Sequence, residues 1–265
     1  MLLKDKVIFV TGSATGLGQG FAIAFAKEGA KVVINTSKNK EGLAETERII
    51  KENGGEVLSL IGDVSDKATT ESMIAKTIER FGTIDVVVNN AAVLADFKAS
   101  LDITEEEWDR IMAVNLKGVY LMTNAALPHM LNKGKGTFIN ISSIGGSVSG
   151  VGDDAYITSK HAVIGYTKQI AYNYSQYGIR ALTLSPGLTD TPMVNYVIES
   201  GRREAVRQVA NTPTGEIGTV EDVANLAVFL ASDKAKRINA GDYKVDGGQH
   251  IGADLERNGG VKLTW

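Results

Sequence analysis

The sequence predicts an α/β fold: one domain built on a doubly wound, seven-stranded, mostly parallel sheet with helices on both faces. Three observations predict it. Short apolar, β-branched runs alternate with longer stretches of helical periodicity, the pattern of successive βαβ units. Crossovers of that kind are right-handed, so the helices distribute over both faces. No linker rich in Pro, Gly or Ser, no low-complexity run and no internal repeat interrupts residues 1–265, so the expectation is a single domain throughout.

The elements follow in order. Strand 7–10 (VIFV) precedes the glycine-rich "TGSATGLG" of 11–18, and helix 17–28 stops at Gly29. Glycine just past the last periodic residue is a helix-stop signal. Strand 31–34 leads to helix 41–53, and strand 57–61 leads to helix 66–80, which opens at Ser65-Asp66 and closes at Gly82. Strand 86–88 precedes a helical pattern over 104–132, whose Thr104 and Glu107 have capping-box spacing. Strand 138–141, helix 155–177, strand 180–185, helix 220–231 and strand 243–245 complete the series.

Composition narrows the function classes. The chain is 43% hydrophobic and 22% charged, an ordinary globular balance that can bury a sizeable core. A net charge of −3 leaves no electrostatic footprint for nucleic acid or an anionic membrane. The absence of cysteine excludes disulfides, thiolate catalysis and zinc–thiolate sites. His129, His161 and His250 have no partner at metal-ligand spacing, so no metal is expected. The N-terminal "MLLKDKVIFVTG" has too short an apolar run for a secretory signal, and no stretch reaches membrane-spanning length. The expectation is a cytoplasmic protein.

The glycine loop gives the first pointer to chemistry. Gly12, Ser13, Thr15, Gly16, Leu17 and Gly18 lie between a strand and a helix at the start of a βαβ unit. Small residues there let the backbone approach a pyrophosphate, and the helix start offers free N–H groups. Glycines also serve plain turns, but this context favours nucleotide binding of the Rossmann type. A second pointer is "AYITSK" (155–160): Tyr156 and Lys160, four apart, share a helix face.

With "GDV" (62–64), "NNAA" (89–92), "VNLKGVY" (114–120), "INISS" (139–143), "SPGLTDTPM" (185–193) and "GDYKVDGG" (241–248), these motifs stand in one order. In that order the chain resembles the short-chain dehydrogenase/reductase family from residue 5 to about 248. Ala92 stands where the family usually has Gly.

The resemblance implies hydride transfer between a nicotinamide cofactor and a secondary alcohol or ketone. It makes Tyr156 the acid/base. A phenol near pKa 10 must be lowered by roughly three units to work near neutrality, which needs roughly 4 kcal/mol of preferential phenolate stabilisation. Lys160 and the oxidised nicotinamide are the expected positive charges. Ser143 matches the serine that hydrogen-bonds the substrate oxygen, with Ser142 the lesser candidate. Asn115 matches the asparagine that holds a water linking Lys160 to solvent; it also suits a helix kink. Asp63 and Val64 are implied to flank the adenine, and Asn89 and Ala91 to lie beneath its ribose. Pro186, Gly187, Thr189 and Thr191 are implied near the nicotinamide.

Cofactor choice turns on the end of the second strand. Thr36 stands where an NAD enzyme of the family carries Asp, and Thr36, Ser37 and Lys38 form a phosphate-compatible trio. NADP is therefore favoured over NAD. Basic residues of the usual NADP pattern are missing, since Ser37 and Thr15 occupy those places.

The substrate is less marked. Asp96, Asp153 and Asp154 suit the hydroxyls of a sugar or polyol, as in glucose dehydrogenases, or serve as solvated loop charges. The alternative of a 3-oxoacyl-carrier-protein reductase is weakened by Tyr177, where such enzymes usually have Arg. A nucleotide-sensing scaffold without chemistry is disfavoured because Asn115, Ser143, Tyr156 and Lys160 are all present. Residues 192–213 are the expected substrate lid. The tail 249–265, ending in Leu263 and Trp265, is expected to pack either on a neighbouring subunit of a homotetramer or on its own.

Overall fold

The structure is a computed structural model and describes residues 1–94, 98, 100–199 and 212–251, with side chains 196–199 omitted. Seven strands form one sheet in the order β3-β2-β1-β4-β5-β6-β7. They are β1 (Val7–Val10), β2 (Lys31–Thr36), β3 (Val57–Ile61), β4 (Val86–Asn89), β5 (Gly136–Ile141), β6 (Ile179–Pro186) and β7 (Asp242–Val245). Every pairing is parallel, so the sheet is fully rather than mostly parallel.

Alternation along the strands sorts the core into two layers. Ile8, Val10, Val32, Ile34, Val86 and Val88 face α1 (Gly16–Lys27), α2 (Lys40–Glu52) and α8 (Val220–Ala231). Phe9, Val33, Val87 and Phe138 face α3 (Lys67–Phe81), α5 (Gly118–Lys133) and α6 (Asp154–Tyr174). Both faces are buried, so the strands read as continuous apolar runs.

The 104–132 pattern is not one helix. It divides into α4 (Glu105–Met112), a π-helical turn (Ala113–Lys117) and α5. Asn115 lies in that turn, almost fully buried. Its amide accepts from the Val93 N–H and donates to the Val93 carbonyl, both at 2.8 Å, and donates to Ser159 Oγ at 3.3 Å. A π-turn inserts one extra residue and re-aims its neighbours. Sequence periodicity smooths over a single inserted residue, and so reads one helix. Part of the expected lid forms α7 (Pro192–Glu199); residues 200–211 of it, Asp96 and tail residues 252–265 lie outside the described residues.

The chain winds outward from β1 to β3, then returns to lay β4 on the other side of β1. At such a reversal the loops beyond the strand ends part and leave a crevice, where ligands of doubly wound sheets bind.

Candidate active site

That crevice is a cleft of about 340 Å³, walled by the loops after β1, β2, β3, β4, β5 and β6. The glycine loop forms one wall. Gly12 (φ 64°) and Gly16 (φ 58°) occupy the left-handed region that disfavours side chains. A Cβ on Gly12 would sit 2.8 Å from the Ala91 backbone, and one on Gly18 would sit 2.2 Å from the Gly12 carbonyl oxygen. Glycine is thus needed for close packing of loop, helix and the β4 end. Asn90 clips these together: its amide donates to the Thr11 and Gly12 carbonyls at 3.0 Å each, and its N–H to the Thr11 hydroxyl at 2.9 Å. Thr15 precedes α1 without a side-chain cap, so the first N–H groups of that helix are left to the cleft.

At the opposite wall, Ser143, two residues beyond β5, caps a short 3-10 turn, its hydroxyl accepting from the Gly145 N–H at 3.1 Å. Ser142 is buried and donates to the Lys160 carbonyl at 3.0 Å, which leaves the half-buried Ser143 as the more accessible hydroxyl of the pair. Helix α6 presents Tyr156 and Lys160 toward the same wall. The Lys160 ammonium lies 5.5 Å from the phenol ring centroid and donates to the Ile141 carbonyl at 2.9 Å. Gly152 lets the chain pass the ring, since a Cβ there would lie 2.7 Å from a ring carbon.

The electrostatics differ from the simple expectation for Tyr156. Burial pushes the phenol pKa up; Ser143 pulls it down and Asp153 adds to the rise. Burial lowers Lys160 to about 8. The protein alone therefore favours a neutral phenol, because desolvation outweighs the Ser143 hydrogen bond.

Asp153 is neither a solvated loop charge nor a carboxylate turned to a substrate, the two alternatives for it. It is 2% exposed, and its carboxylate N-caps α6 by accepting from the Tyr156 N–H at 2.8 Å. Asp154 is exposed and accepts from the Ser100 hydroxyl.

The structure brings most of the expected positions together: Gly12, Thr15, Gly16, Leu17, Gly18, Thr36, Ser37, Asp63, Val64, Ala91, Ser143, Tyr156, Lys160, Pro186, Gly187, Thr189 and Thr191 all line the cleft. Four others stand behind it or beside it. Ser13 is fully buried, its hydroxyl donating to the Val10 carbonyl and accepting from the Asn35 N–H. Asn89 is buried and donates to Asn140 Oδ1 at 2.8 Å. Lys38 is exposed outside the cleft wall, which Asn39 lines instead. The Asn115 side chain is buried behind the cleft, its NH2 donating to the Val93 carbonyl and Ser159 Oγ and its oxygen accepting from the Val93 N–H. Sequence reasoning missed Asn39, Asn90 and Arg110 on the cleft wall. The second Asn of "NNAA" was a visible signal for Asn90; Arg110 carried none.

These features suit a dinucleotide. The uncapped start of α1 is ready for a diphosphate. Among the described residues the buried Lys160 ammonium donates only to Ile141, which leaves donors for ribose hydroxyls. Among the described residues no group of His, Asp and Glu side chains could hold a metal ion, and no helix is long and apolar enough to cross a membrane.

Comparison with known proteins agrees with this geometry. A family model described as enoyl-(acyl carrier protein) reductase matches residues 12–250. Levodione reductase of Leifsonia aquatica is 35% identical over 253 residues, covering 92% of this chain and 94% of that protein. The 2-(R)-hydroxypropyl-CoM dehydrogenase of Xanthobacter autotrophicus is 37% identical, covering 92% of this chain and 98% of that protein. The crystal structure of levodione reductase superposes with a TM-score of 0.89, covering 94% of this chain and 99% of that one. A putative 2-deoxy-D-gluconate 3-dehydrogenase of Agrobacterium tumefaciens, solved with bound NADP, gives 0.82 at 31% identity, covering 94% of this chain and 98% of that one. The chain belongs to the short-chain dehydrogenase/reductase family and is an NAD(P)-dependent oxidoreductase that moves hydride between a nicotinamide cofactor and a secondary alcohol or ketone.

Proposed function

We propose that Tyr156, Ser143 and Lys160 catalyse this transfer on an apolar ketone or secondary alcohol, with NADP as the preferred cofactor. The carrying observation is their convergence on the cleft wall facing the glycine loop. The nicotinamide, when bound, supplies or accepts the hydride. Ser143 donates a hydrogen bond to the carbonyl oxygen, and Tyr156 delivers its phenolic proton to that oxygen in reduction or removes it in oxidation. Proton transfer of this kind contributes typically 10²–10⁴-fold. Lys160 offers its remaining N–H groups to the cofactor ribose and its charge to the phenolate. Asn115 braces the Val93 loop, which forms part of the wall.

The preference for NADP rests on the end of β2. Thr36, Ser37 and Asn39 line the cleft there, and none carries a negative charge against a 2′-phosphate. The NADP bound to the gluconate-dehydrogenase neighbour fits this reading. For the substrate, Met193 and Val194 give the wall beside Thr191 an apolar face. With Asp153 committed to capping, the case for a sugar or polyol rests on Asp154 and on Asp96, which lies outside the described residues. Tyr120 and Tyr172, 48% and 84% exposed on α5 and α6, suit burial in a homotetramer; light scattering tests that.

A panel of diketones, hydroxysteroids, sugars and polyols, read at 340 nm with NADPH or NADP and with NADH or NAD, tests the reading. Turnover on apolar ketones with NADPH supports it. Turnover confined to sugars, or at least about tenfold higher kcat/KM with NADH, overturns the corresponding part.

A further inference from the structure

The turn that follows β7 clasps the loop that follows β6. Gln249, 7% exposed, turns its side chain onto that loop, and its Oε1 accepts from the Leu188 N–H at 3.0 Å. The backbone around Leu188 is tied on both sides. The Gly187 N–H donates to the Val245 carbonyl at 2.9 Å, the Asp190 N–H to the Gly218 carbonyl at 2.8 Å, and the Gly218 N–H to the Leu188 carbonyl at 3.0 Å. A Cβ on Gly187 would lie 2.6 Å from Asp246 Cβ and 2.9 Å from Gln249 Oε1, so only glycine lets the loop come this close to the amide.

The turn itself is held in place. Asp246 Oδ1 accepts from the Gly248 N–H at 3.0 Å, and its Oδ2 meets the His250 N–H at 2.9 Å and the His250 ring Nδ1 at 2.6 Å. The Gln249 N–H donates to the Asp246 carbonyl at 2.9 Å. These bonds grip the residues on either side of Gln249 and fix where its side chain points. Gln249 and Leu188 stand behind the cleft, while Gly187 and Thr189 line it. Strand β6 is the neighbour of β5, so this loop lies one strand spacing, roughly 5 Å, from the segment that carries Ser143. A hydride donor must lie against the Ser143–Tyr156 wall, and the loop that Gln249 holds borders that position.

We infer that Gln249 is a positioning residue for the nicotinamide half of the cofactor: by holding the Leu188 N–H it keeps the loop after β6 in place against the ring. This rests on the dinucleotide reading above. Without the acceptor, a buried N–H is left unpaired, and the loop must shift to find it a partner. The end of β2, where Thr36 lines the cleft, is four strand spacings away, roughly 19 Å. The adenosine half of the cofactor is therefore untouched, and the two halves should respond differently to the loss of one amide.

The test is direct binding, which needs no substrate. The dissociation constant of NADPH is measured by nicotinamide fluorescence. That of 2′,5′-ADP, which carries the adenosine half and no nicotinamide, is measured by displacement of NADPH. NADH and ADP form a parallel pair. Gln249→Met keeps the length of the side chain and removes the acceptor. It should bind NADPH at least about fivefold more weakly, the loss of one buried hydrogen bond, while 2′,5′-ADP moves less than about twofold. Gln249→Glu keeps an acceptor at the same reach, and its ratio of the two constants should stay within about twofold of the wild type. Both ligands titrate the same folded protein, so the ratio does not depend on how much of a variant folds. Equal weakening of NADPH and 2′,5′-ADP, unchanged NADPH binding in Gln249→Met, or a Gln249→Glu ratio equal to that of Gln249→Met would overturn the inference. Failure of the wild type to bind any dinucleotide would instead remove the reading on which it rests.

Discussion

Replacing Lys160 with Met should make the protein more stable while removing its activity. Lys160 is 3% exposed, and its ammonium has one hydrogen bond, to the Ile141 carbonyl. Burial takes its pKa from the ordinary 10.5 to about 8. At about 1.4 kcal/mol for each tenfold change in proton affinity, holding the charge in the folded state at pH 7 costs about 3 kcal/mol. Met has a similar length and fills the same channel without a charge. Losing the hydrogen bond and leaving the carbonyl without that donor costs about 1–2 kcal/mol. The net gain at pH 7 is about 1–2 kcal/mol, or about 2–8 °C in Tm for a chain of this size. Because the folded pKa lies below the unfolded one, the cost of the charge is complete below about pH 8 and fades as pH rises toward 10.5. The gain in Lys160→Met should therefore shrink at pH 10. Thermal unfolding followed by circular dichroism at both pH values is the assay. A lower Tm at pH 7, or an equal gain at pH 7 and pH 10, would refute the reasoning.

Two further substitutions probe other parts of the site. Asp153→Ala removes the buried N-cap of α6 and should destabilise by about 1–2 kcal/mol, seen in urea unfolding; it also removes a charge that raises the Tyr156 pKa, so the alkaline limb of the activity profile should move to lower pH. Thr36→Asp places a carboxylate at the end of β2, where it repels a 2′-phosphate and accepts from a free 2′-hydroxyl, so the kcat/KM preference should turn from NADP to NAD by about tenfold or more; an unchanged ratio would place the phosphate elsewhere.

The sheet was legible because both its faces are buried. Runs such as VIFV (7–10) and VVV (86–88) are recognisable as parallel strands without alternation, and the glycines at 12, 16 and 18 mark the first turn on chemical grounds. Tyr156, Lys160 and Ser143 were also visible, through helical spacing and motif order, and the structure brings them to one wall. Three features escaped, two local and one long-range. The break at Ala113–Lys117 is a backbone adjustment around Asn115 that leaves the apolar pattern intact. Asp153 read as a substrate acceptor or loop charge because the helix was expected from 155; the structure starts it at Asp154, which makes Asp153 its N-cap. Arg110 was hidden because its partner Asp63 is 47 residues away and is brought near only by the order of the sheet.

The central claim is that the cleft binds a nicotinamide dinucleotide and that Tyr156 moves the proton. Paired titration and turnover of the wild type and Tyr156→Phe test it most directly, using NADPH fluorescence for binding and 340 nm absorbance for a ketone that the wild type reduces. The phenyl ring fills the same volume and cannot exchange a proton. The account predicts NADPH dissociation constants within about twofold of each other and a kcat at least about 100-fold lower in Tyr156→Phe. A variant that kept more than about a tenth of the wild-type kcat would contradict it.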